Sequence, residues 1–170
     1  MPRFSAEFAQ PRIDSDVAVE GLLAVARAMV SLTARSLAQL DVSVTLPQFR
    51  ALVVLAISGP RRIVDLAAEF EVQPSAATRM CDRLVRKQLV ARHARPDDRR
   101  VALVELTPAG RKLVAEVMDR RRDTIADLVA SVTVSDAEAF SATLQAVAEA
   151  AGELPEHEWQ ARWHAVSATA

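Results

Sequence analysis

Val19, Leu22, Leu23, Ala26, Met29, Val30, Thr33, Leu37 and Leu40 recur at steps of three and four residues. That is the period of an amphipathic helix, and it predicts one long helix after a flexible polar leader at residues 1–14. Thr45 with Gln48 three positions later is a helix-start pairing, opening a second helix through Phe49, Leu52, Val53 and Ala56 that Ser58-Gly59-Pro60 ends. A short third helix is expected from about Val64 to Phe70. Glu71-Val72-Gln73 leaves room only for a tight turn before Pro74, which suits the first position of a fourth helix because its missing N–H is not needed there. Two helices joined so closely must cross steeply.

On the fourth helix Ala77, Met80, Cys81, Leu84 and Gln88 fall on one stripe, and Ser75, Arg79, Asp82, Arg83 and Arg86 on the other. One stripe is expected in the core and the other outside. From Leu89 the pattern shifts to short, imperfectly alternating runs on either side of Pro96-Asp97-Asp98, which predicts a two-stranded hairpin with a charged tip, its second strand running from Arg100 to Leu106. Thr107-Pro108 caps a fifth helix through Leu113, Val117, Arg121, Ile125 and Leu128. Ser135-Asp136-Ala137-Glu138 reads as a capping box for a sixth, closed by Gly152 and Pro155. Trp159, Trp163 and Val166 allow one more amphipathic piece or a tail packed on the leader.

Composition adds three constraints. At 170 residues the chain suits one folding unit with attached assembly helices. Its core must be built from Ala, Val and Leu, since aromatics are 4 % and Tyr is absent, which suits close-packed helices. Charges such as Arg27 interrupt the apolar runs, the start has no secretory h-region, and one Cys fits a reducing compartment, so a soluble cytoplasmic protein is expected. Net charge is −1, yet residues 73–100 hold eight Lys or Arg against three Asp. A short cationic segment thus sits on an otherwise acidic chain.

The order helix, tight turn, helix, hairpin, with positive charge on the second helix and at the hairpin tip, is that of a winged helix-turn-helix. The expected fold is mainly α with a small β-hairpin wing (α+β): a DNA-binding domain at 45–107, helical dimerisation regions at 15–44 and 108–152, and a tail at 153–170. The N-terminal turns of a recognition helix reach base edges while later cations meet phosphate. Ser75, Ala76, Thr78 and Arg79 are therefore candidates for the major groove, with Arg79 the candidate for a bidentate contact to guanine. Arg83 and Arg86 are candidates for phosphate, and Arg99 and Arg100 for the narrow minor groove, with Asp98 bracing Arg100. The first, fifth and sixth helices carry more apolar surface than so small a winged domain can cover, so a homodimer is expected, its recognition helices roughly 34 Å apart.

The run from Pro74 to Lys87, followed by Arg95-Pro96-Asp97-Asp98-Arg99-Arg100 and Leu106-Thr107-Pro108-Ala109-Gly110, closely resembles the MarR family of bacterial transcriptional regulators. The resemblance covers about residues 19–150. It implies a homodimer on a pseudo-palindromic double-stranded operator, acting as a repressor released by a small aromatic or phenolic effector bound between the dimerisation helices and the DNA-binding lobe. Arg27, Phe49 and Arg50 are candidates to line such a pocket, or are structural. By the same resemblance Asp98 and Arg100 match the wing motif. The family often carries Gly where Gln88 stands, so the turn into the wing is where a departure is expected.

Other readings weigh less. Cys81 lies on the apolar stripe beside Met80, which favours a packed thiol over a redox switch. His93, His157 and His164 share no metal-ligand spacing, and neither a metal nor a cofactor is expected. Trp159 and Trp163 suit tail packing better than a ligand-stacking wall. No nucleophile elbow, phosphate loop or dinucleotide fingerprint is present, so an enzyme is not expected. The alternative is a winged-helix module that binds a protein through the same surface.

Overall fold

The computed structural model describes residues 15–94 and 102–167. Seven helices and a small sheet follow in the order α1 (Ser15–Ala38), α2 (Leu46–Ser58), β1 (Arg61–Arg62), α3 (Ile63–Glu69), α4 (Pro74–Arg86), β2 (Val90–Ala94), β3 (Ala102–Leu106), α5 (Pro108–Ala130), α6 (Ala137–Ala150) and α7 (Glu156–Ser167). The sheet is antiparallel with β3 in the middle: Val90 faces Leu106 and Ala94 faces Ala102 on one side, and Arg61 faces Val104 on the other. The sequence predicts the hairpin but not β1, whose two residues are too few to leave a periodic signal.

The core is one cluster gathered from α2, α3, α4, the strands and the first half of α5. Leu52, Leu66, Leu84, Val104, Val114 and Val117 are all fully buried in it. Apolar burial of such side chains, about 1.5–3 kcal/mol each, is what holds the winged lobe together. The remaining helices are barely covered. α6 has no buried residue, and Leu22, Leu23, Val30, Phe140, Leu144 and Val147 are all exposed. By length and composition alone α1 is apolar enough to cross a membrane, contrary to the expectation that charge breaks every such stretch. A helix meant for the core of an assembly passes the same test, because both are apolar around most of their circumference.

Two helix ends set the attitude of α4. At the end of α3, Glu71 donates its N–H to Ala68 O and Val72 donates to Ala67 O, with Glu71 at φ 53°. At the end of α4, Gln88 N–H reaches Val85 O, Leu89 N–H reaches Leu84 O, and Gln88 has φ 58°. Both are Schellman turns with a non-glycine residue in the left-handed position. Gln88 is therefore exposed and off the helix, not on its apolar stripe as the periodicity suggests. The departure from glycine leaves the turn intact and adds strain.

Thr107 locks this turn to α5. Its N–H donates to Leu89 O at 3.1 Å and its hydroxyl to Gln88 O at 2.6 Å, while the same hydroxyl accepts from Gly110 N–H. A Cβ on Gly110 would run into the Leu89 carbonyl, so this close approach requires glycine. The sixth helix starts one residue later than expected: the cap is Asp136, accepting from Ala139 N–H at 2.9 Å, rather than Ser135. The tail forms α7, which packs on α2 and brings Trp163 against the core.

Replacing Gln88 by Gly is expected to raise stability by about 0.5–1 kcal/mol, the relief of left-handed strain less the added freedom of the unfolded chain. Gly110→Ala is expected to lower it by about 1–3 kcal/mol. Chemical denaturation of the two variants checks both signs.

Candidate nucleic-acid interface

α4 is amphipathic because the buried Ala77, Met80, Cys81 and Leu84 recur at helical spacing. Their burial leaves Ser75, Thr78, Arg79, Arg83 and Arg86 exposed and Ala76 half-buried. Pro74 occupies the first turn and has no N–H to offer, no side chain caps the helix, and Ala76 N–H donates to Gln73 O at 2.8 Å, so Ser75 carries the one first-turn N–H left for an anion among the described residues. Thr78 donates its hydroxyl to Pro74 O at 2.8 Å. Its proton is thus engaged, and what it offers outward is an acceptor lone pair and a methyl group, suited to a base amino group or a thymine methyl. Arg79, Arg83 and Arg86 take part in no ion pair among the described residues.

Asp82 does not lie free on that face. It pairs with Arg92 of β2 at 2.7 Å, which offsets the one negative charge on this face of α4 and ties α4 to the first strand of the hairpin. His93 and Glu105 approach to 3.6 Å across the hairpin. Lys87, part of the same basic segment, turns inward: its ammonium donates to Ser43 O and to Gln48 Oε1. The roles of Arg92, Lys87 and Gln48 were not legible from charge or periodicity, since each depends on a partner from another element. The one sequence signal was Gln48, whose capping position already placed it at the start of α2. The wing residues Asp98, Arg99 and Arg100 lie outside the described residues, and so does the leader at 1–14.

The three pocket candidates do not converge. Phe49 is 3 % exposed in the core. Arg50 is exposed, with its guanidinium over the Phe70 ring at 5.3 Å from the centroid, and Arg27 is exposed on α1. None of them lines either of two cavities found elsewhere. One, of about 540 Å³, lies between α6 and α7 beside Leu144, Glu149 and His157. The other, of about 310 Å³, lies at the joint of α1 and α2, lined by Leu37, Leu40, Ser43, Val44 and Leu46 among others. Trp159 and Trp163 stack on each other at 5.7 Å between centroids. Among the described residues no group of three or more His, Cys, Asp or Glu is placed to hold a metal.

Cys81 is fully buried. Burial pushes its thiol up from the ordinary value, with Asp82 adding to the shift and Arg92 opposing it. The neutral thiol is the unreactive form.

Residues 44–102 match the MarR family. RV1404 from Mycobacterium tuberculosis has a solved structure with a TM-score of 0.76 to this chain; it is 40% identical, over 85% of this chain and 98% of its own. YsmB of Bacillus subtilis (strain 168), named an uncharacterized HTH-type transcriptional regulator, is 31% identical over 102 residues, which are 60% of this chain and 70% of YsmB. MdtR of the same organism, named an HTH-type transcriptional repressor, is 37% identical over 90 residues, 53% of this chain and 58% of MdtR.

Iodoacetamide is expected to leave Cys81 unmodified in the folded protein at pH 8 and to alkylate it fully in denaturant. Mass spectrometry reads the outcome, and equal rates in the two states would contradict a packed thiol.

Proposed function

The chain belongs to the MarR family of helix-turn-helix, DNA-binding transcriptional regulators, and from that premise we propose that it is a homodimeric repressor that reads a pseudo-palindromic operator in double-stranded DNA and is released by a small ligand. The observation that carries the reading is the outer face of α4. Three arginines, at 79, 83 and 86, stand exposed and unpaired among the described residues behind an uncapped helix start. Single exposed charges are ordinary on a solvated surface, but three of one sign along one helix face repel each other and favour an external anion. Here the one acid on the helix is bound to Arg92 and the arginines are left for an external anion.

Arg79, nearest the helix start, reads base edges; Arg83 and Arg86 meet phosphate. Asp98 and Arg100 act at the wing by resemblance to the family motif. The exposed apolar faces of α1 and α6 support the homodimer, because several Leu, Val and Phe side chains at about 1.5–3 kcal/mol each would otherwise remain in water. The repressor role follows the name of MdtR. A cytoplasmic location follows from work on the chromosome.

The effector is proposed to be small and aromatic or phenolic. The apolar cavity at the joint of α1 and α2 favours this, since it lies where the dimerisation helix meets the winged lobe and offers Ser43 as a polar group. The chemistry of the reading is binding, not catalysis, in keeping with the regulator names of the relatives.

Duplexes selected from a random pool by the purified protein test the assignment. Arg79→Ala is expected to lose about 1–3 kcal/mol of discrimination at one base position of each half-site. Arg86→Ala is expected to weaken all duplexes alike and to make the salt dependence shallower by about one phosphate per protomer. Equal effects of both on selected and random DNA would contradict the division of roles, and absence of duplex binding at low salt would favour a protein partner. Phe140→Asp with Leu144→Asp, one turn apart on α6, is expected to yield monomers in sedimentation.

A further inference from the structure

Lys87 lies in the cationic segment and by charge alone would be counted as a phosphate contact. Its geometry is different. The ammonium donates to Ser43 O and, at 2.9 Å, to Oε1 of Gln48. Gln48 is only 2 % exposed, and its Oε1 also accepts the Thr45 N–H at 3.2 Å. Both lone pairs of that oxygen are thereby used, one by the start of α2 and one by the end of α4.

Diffuse electrostatics does not explain this placement. The start of α2 carries the positive end of a helix dipole, which disfavours a cation nearby. The ammonium is held there by two aligned acceptors, and its direction is set by the backbone: Lys87 is the last right-handed residue before the left-handed Gln88. The partners Ser43 and Gln48 straddle the joint through which α1, a proposed dimerisation helix, connects to the winged lobe. The same joint borders the cavity lined by Leu37, Ser43 and Leu46. A contact from the end of α4 to this joint is therefore placed to relate the recognition helix to the twofold axis.

We propose that Lys87 is a positioning residue: by clamping the end of α4 to Ser43 and Gln48 it fixes the angle of the recognition helix relative to the dimerisation helices, and so sets which half-site spacing the dimer accepts. The proposal rests on the DNA-binding reading above for its consequence, but not for the clamp itself.

The experiment compares the full chain with Lys87→Met, which keeps the stem and loses the donors, and Lys87→Arg, which keeps charge and donors. Two readouts are taken: affinity for a selected operator and for versions with one base pair added or removed between half-sites, across a salt series, and amide hydrogen exchange over residues 43–49. Lys87→Met is expected to reduce the preference for native spacing by about tenfold, to leave the salt slope unchanged, and to speed exchange at the joint. Lys87→Arg is expected to retain most of the preference. If Lys87→Met keeps the spacing preference and the exchange pattern, the clamp is overturned; a salt slope shallower by about one phosphate with spacing preference intact overturns it too and makes Lys87 a phosphate contact. If the parent chain binds no duplex, the DNA reading fails, and hydrogen exchange alone decides whether the clamp exists. Should Lys87→Met not fold, Lys87→Leu, which likewise has no donor, takes its place under the same criteria.

Discussion

The junction of Gln88, Leu89, Thr107 and Gly110 is the constraint on which the winged lobe depends. Four chain segments meet there within hydrogen-bonding distance: the end of α4, the start of β2, the end of β3 and the first turn of α5. The Thr107 hydroxyl donates to Gln88 O and accepts from Gly110 N–H, while its backbone N–H takes the Leu89 carbonyl. Because the Leu89 carbonyl faces the Gly110 Cα, no side chain can separate them. One left-handed residue and one missing Cβ thus decide where α4 ends, where the wing begins and how α5 leaves. The arginine face of α4 points outward because Ala77, Met80, Cys81 and Leu84 take the opposite face into the core.

Beyond that corner the molecule divides by packing. The winged lobe buries its apolar residues within one chain, whereas α1, α6 and the far half of α5 do not. Both behaviours follow from one physical preference, acting on elements with different numbers of neighbours. α1 is long and apolar on nearly every side, so a few contacts with α2 and α5 cover only Thr33, Ser36 and Leu37 fully. Hydropathy alone cannot tell such a helix from a membrane span.

Much of this was legible in the residues. The helix starts at Thr45, Pro74 and Thr107 follow from cap chemistry, and the α4 stripe of Ala77, Met80, Cys81 and Leu84 follows from its period. Three kinds of feature were not. β1 is too short to carry a pattern, and it exists only because β3 lies beside it. Gln88 continues the stripe by spacing, yet the chain has already turned; a glycine would have announced the turn, and a glutamine hides it. The partners of Asp82 and Lys87 are remote in sequence, ten residues away in one case and about forty in the other, and periodicity contains no information about contacts of that range. Phe49, a candidate either for the pocket or for a structural role, lies buried in the core, and only the packing of α2 could place it there.

Charge counting, too, must yield to geometry. Residues 79–92 hold five Lys or Arg, and the whole chain is nevertheless slightly acidic. Two of the five, Lys87 and Arg92, are occupied by Gln48 and Asp82 and serve to hold α4 in place. Arg79, Arg83 and Arg86 are the three of this stretch that take part in no ion pair among the described residues. Screening limits surface fields to about 8–10 Å at ordinary salt, so the acidic remainder of the chain scarcely weakens these three at contact. The cations that look redundant by composition, Lys87 and Arg92, are those whose bonds to Gln48 and Asp82 hold α4 against its neighbours.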